Sequence, residues 1–182
     1  NYLVNTIADS VRLWTLGASV TDTFVSFSTT AIYGAGLLIK TITNDENGKQ
    51  VIEYKDKTGL VILKKVQLTA SADLGSGSSQ SGWISTYYLY DEFNQLRVVI
   101  QPRGVEYMRV NSWPASGSMK NIMDEFCFRY EYDSRNRMIL KRVPGASMIV
   151  MIYDRWDRLV LTQDGRMRSS NQWLYTKYDL LN

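Results

Sequence analysis

Regularly spaced carboxylates are one class of side chain in this 182-residue chain that could take part in catalysis. Two carboxyl groups that face each other across a cleft can hydrolyse a glycosidic bond. Here the aspartates recur behind a tyrosine, in Tyr54-Lys55-Asp56, Tyr90-Asp91, Tyr132-Asp133, Tyr153-Asp154 and Tyr178-Asp179. A residue that recurs in every unit is explained more economically by the backbone than by a reaction that needs one site. We therefore expect no catalytic activity.

Other reactive side chains are scarce. Histidine is absent, which excludes histidine-dependent triads and histidine-ligated zinc sites. Cys127 is the only cysteine, and its position between Phe126 and Phe128 is typical of a buried structural thiol. The acidic stretch 44–48 lacks the ligand spacing of an EF-hand loop. We expect neither a metal site nor a cofactor.

Tryptophan rings offer a second kind of chemistry, because exposed rings can stack on sugars. Trp113, beside Pro114, and Trp173 are the candidate ligand-stacking residues. The alternative is that these rings pack in the protein interior, where burial is itself stabilising. The residues alone leave both interpretations open.

Basic residues are frequent in the C-terminal part, at Arg129, Arg135, Arg137, Lys141, Arg142, Arg155, Arg158, Arg166 and Arg168. Acidic residues alternate with them, and the chain carries 21 basic against 18 acidic side chains. A net charge of +3 gives no strong electrostatic footprint, so we expect no nucleic-acid partner. No apolar run approaches the roughly 20 residues of a membrane-spanning helix, so we expect no membrane insertion.

Alternation of apolar and polar residues with period two dominates the chain, as in half-buried β-strands. The pattern predicts strands at residues 37–43, 49–54, 60–66, 83–90 and 96–101, and a strand-like stretch at 20–33. Asn47-Gly48, between the first two strands, predicts a type I′ turn with both residues at positive φ. We expect an all-β protein, an antiparallel β-meander with at most one or two short helices.

Composition divides the chain into three parts. Residues 1–70 are predicted to form an N-terminal β-meander with the first Tyr-Asp unit, followed by a Ser/Gly-rich linker or loop at 71–82. Residues 83–182 are predicted to form a further β-sheet region. An insertion at 102–124 interrupts its pattern, and residues 118–125 suit one short helix. The linker joins either adjacent strands or two separate sheets.

The repeated aspartates have a conformational explanation. Aspartate at the start of a type I turn accepts hydrogen bonds from nearby backbone N–H groups. A residue that tolerates the left-handed conformation follows three positions later, at Gly59, Asn94, Asn136, Asp157 and Asn182. Such a residue makes a bulge that restores strand pairing. Each unit is predicted to be a hairpin, with arginine near the turn at Arg97, Arg137 and Arg158 and the tyrosines stacked on one face.

The tyrosine, the turn residues and the flanking strand pattern occur together most clearly in residues 48–57, 152–164 and 173–179. On these residues the chain resembles the RHS/YD-repeat family, over residues 37–182. The likeness is greatest to repeats of large surface or secreted proteins of Bacteroidetes-type bacteria. The resemblance implies a β-ribbon that spirals into a hollow shell, which in related toxins encloses a C-terminal effector.

The resemblance thus implies a non-catalytic segment of a shell wall in a secreted or cell-surface protein. Its implied partners are the remainder of the parent chain and an effector. Other family members are linked to adhesion or carbohydrate binding, so the alternative is a carbohydrate-binding module with surface glycans as partners. Only Gly59 keeps the turn glycine usual in the family, and no Asp-Pro motif of a self-cleaving core is present. We expect no autoproteolysis.

The last unit ends at its turn residue, Asn182, so the second strand of this hairpin is missing from the chain. We therefore expect a fragment of a larger protein. An open sheet edge invites pairing with another strand, and we expect a homodimer through the edge strands of isolated material.

Overall fold

The computed structural model describes residues 3–18, 23–69, 76–114 and 120–179. Its strands are β1 (Leu3–Val4), β2 (Arg12–Leu16), β3 (Phe27–Ile32), β4 (Ile39–Asn44), β5 (Gln50–Lys55), β6 (Val61–Gln67), β7 (Trp83–Tyr90), β8 (Leu96–Ile100), β9 (Cys127–Tyr132), β10 (Met138–Arg142), β11 (Ile149–Tyr153), β12 (Leu159–Gln163) and β13 (Leu174–Tyr175). Its helices are a 3-10 helix (Ile7–Asp9), α1 (Pro102–Val110), α2 (Lys120–Phe126) and α3 (Gly165–Ser169).

One large antiparallel sheet forms the body of the protein. Its eleven strands follow the order β1-β4-β5-β6-β7-β8-β9-β10-β11-β12-β13, so that from β4 onward each strand pairs with the next in sequence. Strands β2 and β3 form a separate two-stranded sheet. The predicted all-β antiparallel meander is confirmed.

The described residues contain three short α-helices, one more than the sequence analysis expected at most. Helix α1 begins with Pro102 and buries Val105 and Met108, which lie three residues apart on one helix face. Helix α2 lies where a helix was expected at 118–125, although residues 115–119 are outside the described part. Helix α3 begins after Asp164, whose carboxylate accepts a hydrogen bond from the Met167 N–H at 2.7 Å.

The Ser/Gly-rich loop connects two adjacent strands of the large sheet. Strands β6 and β7 on either side of it pair directly, with Leu63 opposite Tyr87 and Gln67 opposite Trp83. Residues 70–75 lie outside the described part. In the part that follows, the Ser79 carbonyl accepts a hydrogen bond from Lys65 Nζ at 3.1 Å, so a buried ammonium holds the loop against the sheet.

A carboxylate organises five of the hairpin turns. Oδ1 of Asp91 accepts hydrogen bonds from the N–H groups of Phe93 and Gln95, both at 2.9 Å. The same two bonds, 2.7 to 3.0 Å long, occur in the turns that begin at Asp45, Asp56, Asp133 and Asp154. The carboxylate thereby satisfies two backbone donors that strand pairing leaves unpaired.

A left-handed residue completes each of these turns, at Gly48 (φ +72°), Gly59 (+88°), Asn94 (+61°), Asn136 (+63°) and Asp157 (+64°). Strand register shifts by one residue beside the last four of them, as expected of a bulge. The predicted type I′ turn is wrong, because in Asn47-Gly48 only the glycine has a positive φ. That turn begins at Asp45, which no tyrosine precedes. Asn182, in the last predicted unit, lies outside the described residues.

The two faces of the large sheet differ. One face, here the covered face, carries a buried row that crosses the strands at Tyr54, Leu63, Tyr87, Ile100 and Cys127. The opposite face, the open face, carries half-buried side chains that include Tyr88, Tyr90, Phe128, Tyr130, Tyr132 and Tyr153.

The expectation that all the repeat tyrosines share one face was wrong for Tyr54. Lys55 separates Tyr54 from Asp56, whereas in the other units the tyrosine directly precedes the aspartate. Side chains alternate along a strand, so the extra residue turns Tyr54 to the covered face. Cys127 on that face is buried, as predicted, and burial raises the pKa of its thiol to about 12.

The N-terminal segment after β1, described at residues 5–18 and 23–33, packs on the covered face. The ring of Trp14 lies edge-on to that of Tyr87 at 5.5 Å. The Asp9 carboxylate is buried and accepts hydrogen bonds from Lys40 Nζ at 2.7 Å and the Tyr54 hydroxyl at 2.8 Å. Burial alone raises the pKa of Asp9, but the bonds from Lys40, from the Thr6 N–H and from Tyr54 outweigh it and lower this pKa.

A substitution at Asn136 tests the left-handed turn position. We expect Asn136→Val to lower the free energy of unfolding by about 1–2 kcal/mol, because a β-branched side chain is strained at positive φ. Asn136→Gly relieves that strain and is expected to stay close to wild type. Urea denaturation measures both variants, and equal stability of the two would contradict the assignment.

The buried Asp9 predicts an acid-dependent stability. Its folded-state pKa lies below the ordinary value of 3.8, so its contribution is complete above pH 3.8 and is lost as pH falls through the lowered pKa. We expect Asp9→Asn to unfold with roughly 3 kcal/mol less free energy at pH 7, because Lys40 loses its buried counter-ion. The difference from wild type should shrink below pH 3.8.

Urea titrations at a series of pH values measure that difference. Glu46→Gln, at an exposed turn position, is the control and should match wild type throughout. A difference between Asp9→Asn and wild type that stays constant down to pH 2.5 would exclude this role of Asp9.

Candidate functional site

Tyrosine hydroxyls on the open face connect three of the repeat units to the unit before them. The Tyr132 hydroxyl donates to the Leu96 carbonyl at 3.2 Å, and that of Tyr153 donates to Met138 at 2.9 Å. The next bond of the series joins Tyr178 to the Leu159 carbonyl at 3.0 Å. Each acceptor lies five residues after the turn aspartate of the preceding unit. The contact therefore repeats with the sequence.

An arginine joins the turn of one unit to the tyrosine of the next. Arg137 donates from Nε and one terminal nitrogen to Asp133 Oδ2, at 2.8 and 2.6 Å, and lies 4.9 Å from the Tyr153 ring centre. We call this set the Asp–Arg–Tyr triplet: a turn aspartate, the arginine four residues later and the tyrosine of the following unit. The face of an aromatic ring attracts a cation, and a carboxylate fits the planar guanidinium.

A second triplet follows one unit later. Arg158 donates to Asp154 Oδ2 at 2.9 Å and lies 4.8 Å from the centre of the Tyr178 ring. These contacts order Tyr178 although the strand before it, β13, is only two residues long. The last described unit is therefore positioned mainly by its tyrosine and by the preceding arginine.

The unit of Asp91 uses its arginine differently. Arg97 lies six residues after the aspartate, at the bulge, and is buried. It donates to Asp91 Oδ2 at 2.9 Å and forms a buried ion pair with Glu131, whose other oxygen accepts the Val25 N–H at 2.6 Å. This arginine connects the repeat to the N-terminal segment on the covered face.

The first predicted unit carries no arginine at the corresponding position. Leu60 lies four residues after Asp56, where the later units have Arg137 and Arg158. A groove of about 1040 Å³ lies here, lined among others by Asp56, Leu60 and Tyr90. We call it the turn groove.

The turn groove is acidic and aromatic. Asp56, Asp91, Glu92 and Asp133 line it, against Arg97 as the basic side chain among its lining residues. Tyr33, Tyr88, Tyr90 and Tyr132 also line it. Burial, followed by the charge of Asp56, raises the pKa of Tyr33, and burial, Tyr88 and Asp56 raise that of Tyr90. Asp56 and both phenols line the same groove.

Trp113, a candidate ligand-stacking residue, lies against the covered-face cluster. Its ring is edge-on to Trp14 at 6.0 Å and to Tyr87 at 6.4 Å, and the guanidinium of Arg12 covers it at 4.6 Å. Trp173, the other candidate, is 40% exposed beside the edge strand β13. Ligand stacking by either ring stays a prediction.

Many of the basic residues have carboxylate partners. Arg135 and Arg137 both contact Asp157, at 3.0 and 2.8 Å, and Arg142 contacts Asp124 at 2.7 Å. The described residues contain no group of three or more His, Cys, Asp or Glu that could hold a metal ion. Within the same ranges, no helix has both the length and the apolar character to cross a membrane.

The sequence analysis missed several of these residues. Lys40, Lys65 and Glu131 are charged side chains on the covered face, and each is more buried than its two neighbours along the strand. The alternation along each strand could therefore have predicted that these charged side chains lie on the covered face. Nothing in the sequence placed Tyr33 in the same groove as Asp56, because this depends on how the N-terminal segment returns to the sheet.

No protein-family model matches this chain, and no curated protein matches it. Its fold is similar to that of the crystal structures of TcdB2-TccC3 and TcdB2-TccC3-Cdc42, each at 16% identity over 86% of this chain, with a TM-score of 0.50. The TcdB2-TccC3-TEV crystal structure gives 18% identity over 77% of this chain, also with a TM-score of 0.50. This chain spans 6% to 8% of the length of those solved chains. The predicted RHS-shell-like fold is confirmed at the level of the fold.

Proposed function

We propose that this chain is a non-catalytic segment of an RHS/YD-repeat shell wall in a larger secreted or cell-surface protein. The observation that carries the proposal is the Asp–Arg–Tyr triplet, which couples the hairpins of Asp133 and Asp154 to the units that follow them by the same contacts. A contact that recurs in consecutive units lets a sheet grow by adding further units, and a wall needs this property. A toxin-encapsulating or adhesion-type parent follows from the sequence resemblance.

The fold supports the proposal. A sheet of eleven antiparallel strands in near-sequential order is a ribbon, and the similar solved structures have large parent chains of which this chain spans a small part. The parent's Bacteroidetes-type origin and its location outside the cell rest on the sequence resemblance. Trp113 is half-buried against the covered-face cluster, with the Arg12 guanidinium over its ring, so its position does not favour the carbohydrate-binding alternative.

Absence of catalysis is part of the proposal. Oδ1 of each described turn aspartate accepts backbone hydrogen bonds, and Oδ2 of Asp133 and Asp154 accepts an arginine. A carboxylate with these contacts is held ionised for the turn, which is the opposite of a shared acid–base pair. Turnover of a glycan that disappears on Asp133→Asn would refute this part.

Electron microscopy of the complete protein that carries this segment tests the shell directly. The expected result is a hollow particle in which the eleven-stranded sheet forms part of the wall. A solid particle, or this segment as a separate globular unit attached to a different body, would reject the shell.

A single hydroxyl tests the coupling of units. We expect Tyr153→Phe to lower the free energy of unfolding by about 1 kcal/mol, because the Met138 carbonyl loses its donor. Tyr130→Phe is the matched control, since the Tyr130 hydroxyl makes no hydrogen bond to any described residue, and it should leave stability unchanged. Equal effects of the two variants in urea denaturation would remove the tyrosine contact from the account.

The sheet edges predict self-association of the isolated chain. Side chains on the edge strands are exposed, among them Val4 at 55%, Leu174 at 55% and Tyr175 at 64%. We expect concentration-dependent dimers in sedimentation velocity, and fewer of them with Leu174→Lys, because charge on an edge strand opposes pairing. A monomer at every concentration would contradict the expectation.

A further inference from the structure

The repeat units provide an internal template for the turn groove. In the units of Asp133 and Asp154, an arginine occupies the space between the turn carboxylate and the next tyrosine. In the unit of Asp56, Leu60 takes the arginine position and the space is open. The groove therefore has the carboxylate and the aromatic ring of a triplet without its guanidinium.

The Asp56 carboxylate has one oxygen available for such a group. Its Oδ1 accepts the N–H and hydroxyl of Thr58 and the N–H of Leu60, at 2.9, 2.7 and 3.0 Å. Its Oδ2 accepts no hydrogen bond from the described residues, whereas the Oδ2 of Asp133 accepts two from Arg137. The neighbouring Lys55 is paired with Glu53 at 3.1 Å.

The aromatic side of the groove is richer than in the later units. Tyr90 corresponds to the triplet tyrosine, and Tyr33 from the N-terminal segment adds a second phenol near the same carboxylate. In a later unit, burial raises the pKa of the Tyr153 phenol, the cation of Arg137 lowers it, and the charge of Asp133 raises it. At Tyr90, burial and the charges of Tyr88 and Asp56 all raise the pKa of the phenol, and no cation among the described residues lowers it.

We propose that the turn groove binds a guanidinium group, in the form of an arginine side chain presented by a partner peptide. The arginine lies as Arg137 does, with its nitrogens on Asp56 Oδ2 and its plane against Tyr90. Arginine is favoured over lysine because its planar fork matches a carboxylate and stacks on a ring, whereas an ammonium is a compact, strongly hydrated charge. This binding site is independent of the proposed wall function.

Titration of the intact chain with N-acetyl-arginine methylamide tests the proposal. Two-dimensional NMR should show saturable shifts at the amides of Thr58, Leu60 and Tyr90. The lysine analogue should bind about tenfold more weakly, and the neutral citrulline analogue should not bind. Absence of saturable shifts with the arginine compound, or equal affinity for the lysine compound, would overturn the proposal.

Two variants complete the test. Asp56→Asn keeps an oxygen for the turn but removes the charge, and it should weaken arginine binding at least about tenfold. Leu60→Arg restores the triplet within the chain, so it should abolish binding and raise the melting temperature. Asp154→Asn, the same change in a turn that has its arginine, is the control and should bind as wild type does.

Circular dichroism establishes that each variant is folded. Binding that survives Leu60→Arg in a folded protein would overturn the proposal, as would binding that is insensitive to Asp56→Asn. A loss of binding in Asp154→Asn equal to that in Asp56→Asn would also overturn it, because the effect would then not belong to the groove.

Discussion

The hydrogen bonds from two backbone N–H groups to one aspartate oxygen are the contact on which the rest of this structure depends. They recur in five turns with nearly the same lengths, and a left-handed residue closes each turn. The turn fixes which residue starts the next strand, and hence which side chains reach each face of the sheet. A residue's place in the repeat therefore determines which face of the sheet its side chain occupies.

In the units of Asp133 and Asp154, the second carboxylate oxygen connects one unit to the next. It accepts the arginine that follows the turn, and that arginine lies against the tyrosine that precedes the next turn. One aspartate therefore shapes its own hairpin through Oδ1 and positions the following hairpin through Oδ2. Where leucine replaces the arginine, after Asp56, the second function is missing and the turn groove is open.

Local chemistry made most of the fold predictable. The alternating pattern gave the strands, and the spacing from aspartate to glycine or asparagine gave the turns. Prediction failed in two kinds of place. The extra residue Lys55 turns Tyr54 to the opposite face of the sheet, and Asp45 starts the turn that was expected to form around Asn47-Gly48. Helix α1 and the covering N-terminal segment were missed because their positions depend on tertiary contacts, which single-sequence periodicity does not contain.

A double-mutant cycle on Arg137 and Tyr153 tests the central claim most directly, because these two residues belong to adjacent units and meet at 4.9 Å. The free energies of unfolding of Arg137→Met, Tyr153→Leu and the double variant are compared with wild type in urea. The account predicts that the double variant loses less stability than the sum of the single losses. Strictly additive losses would contradict it, because the units would then not be coupled through this contact.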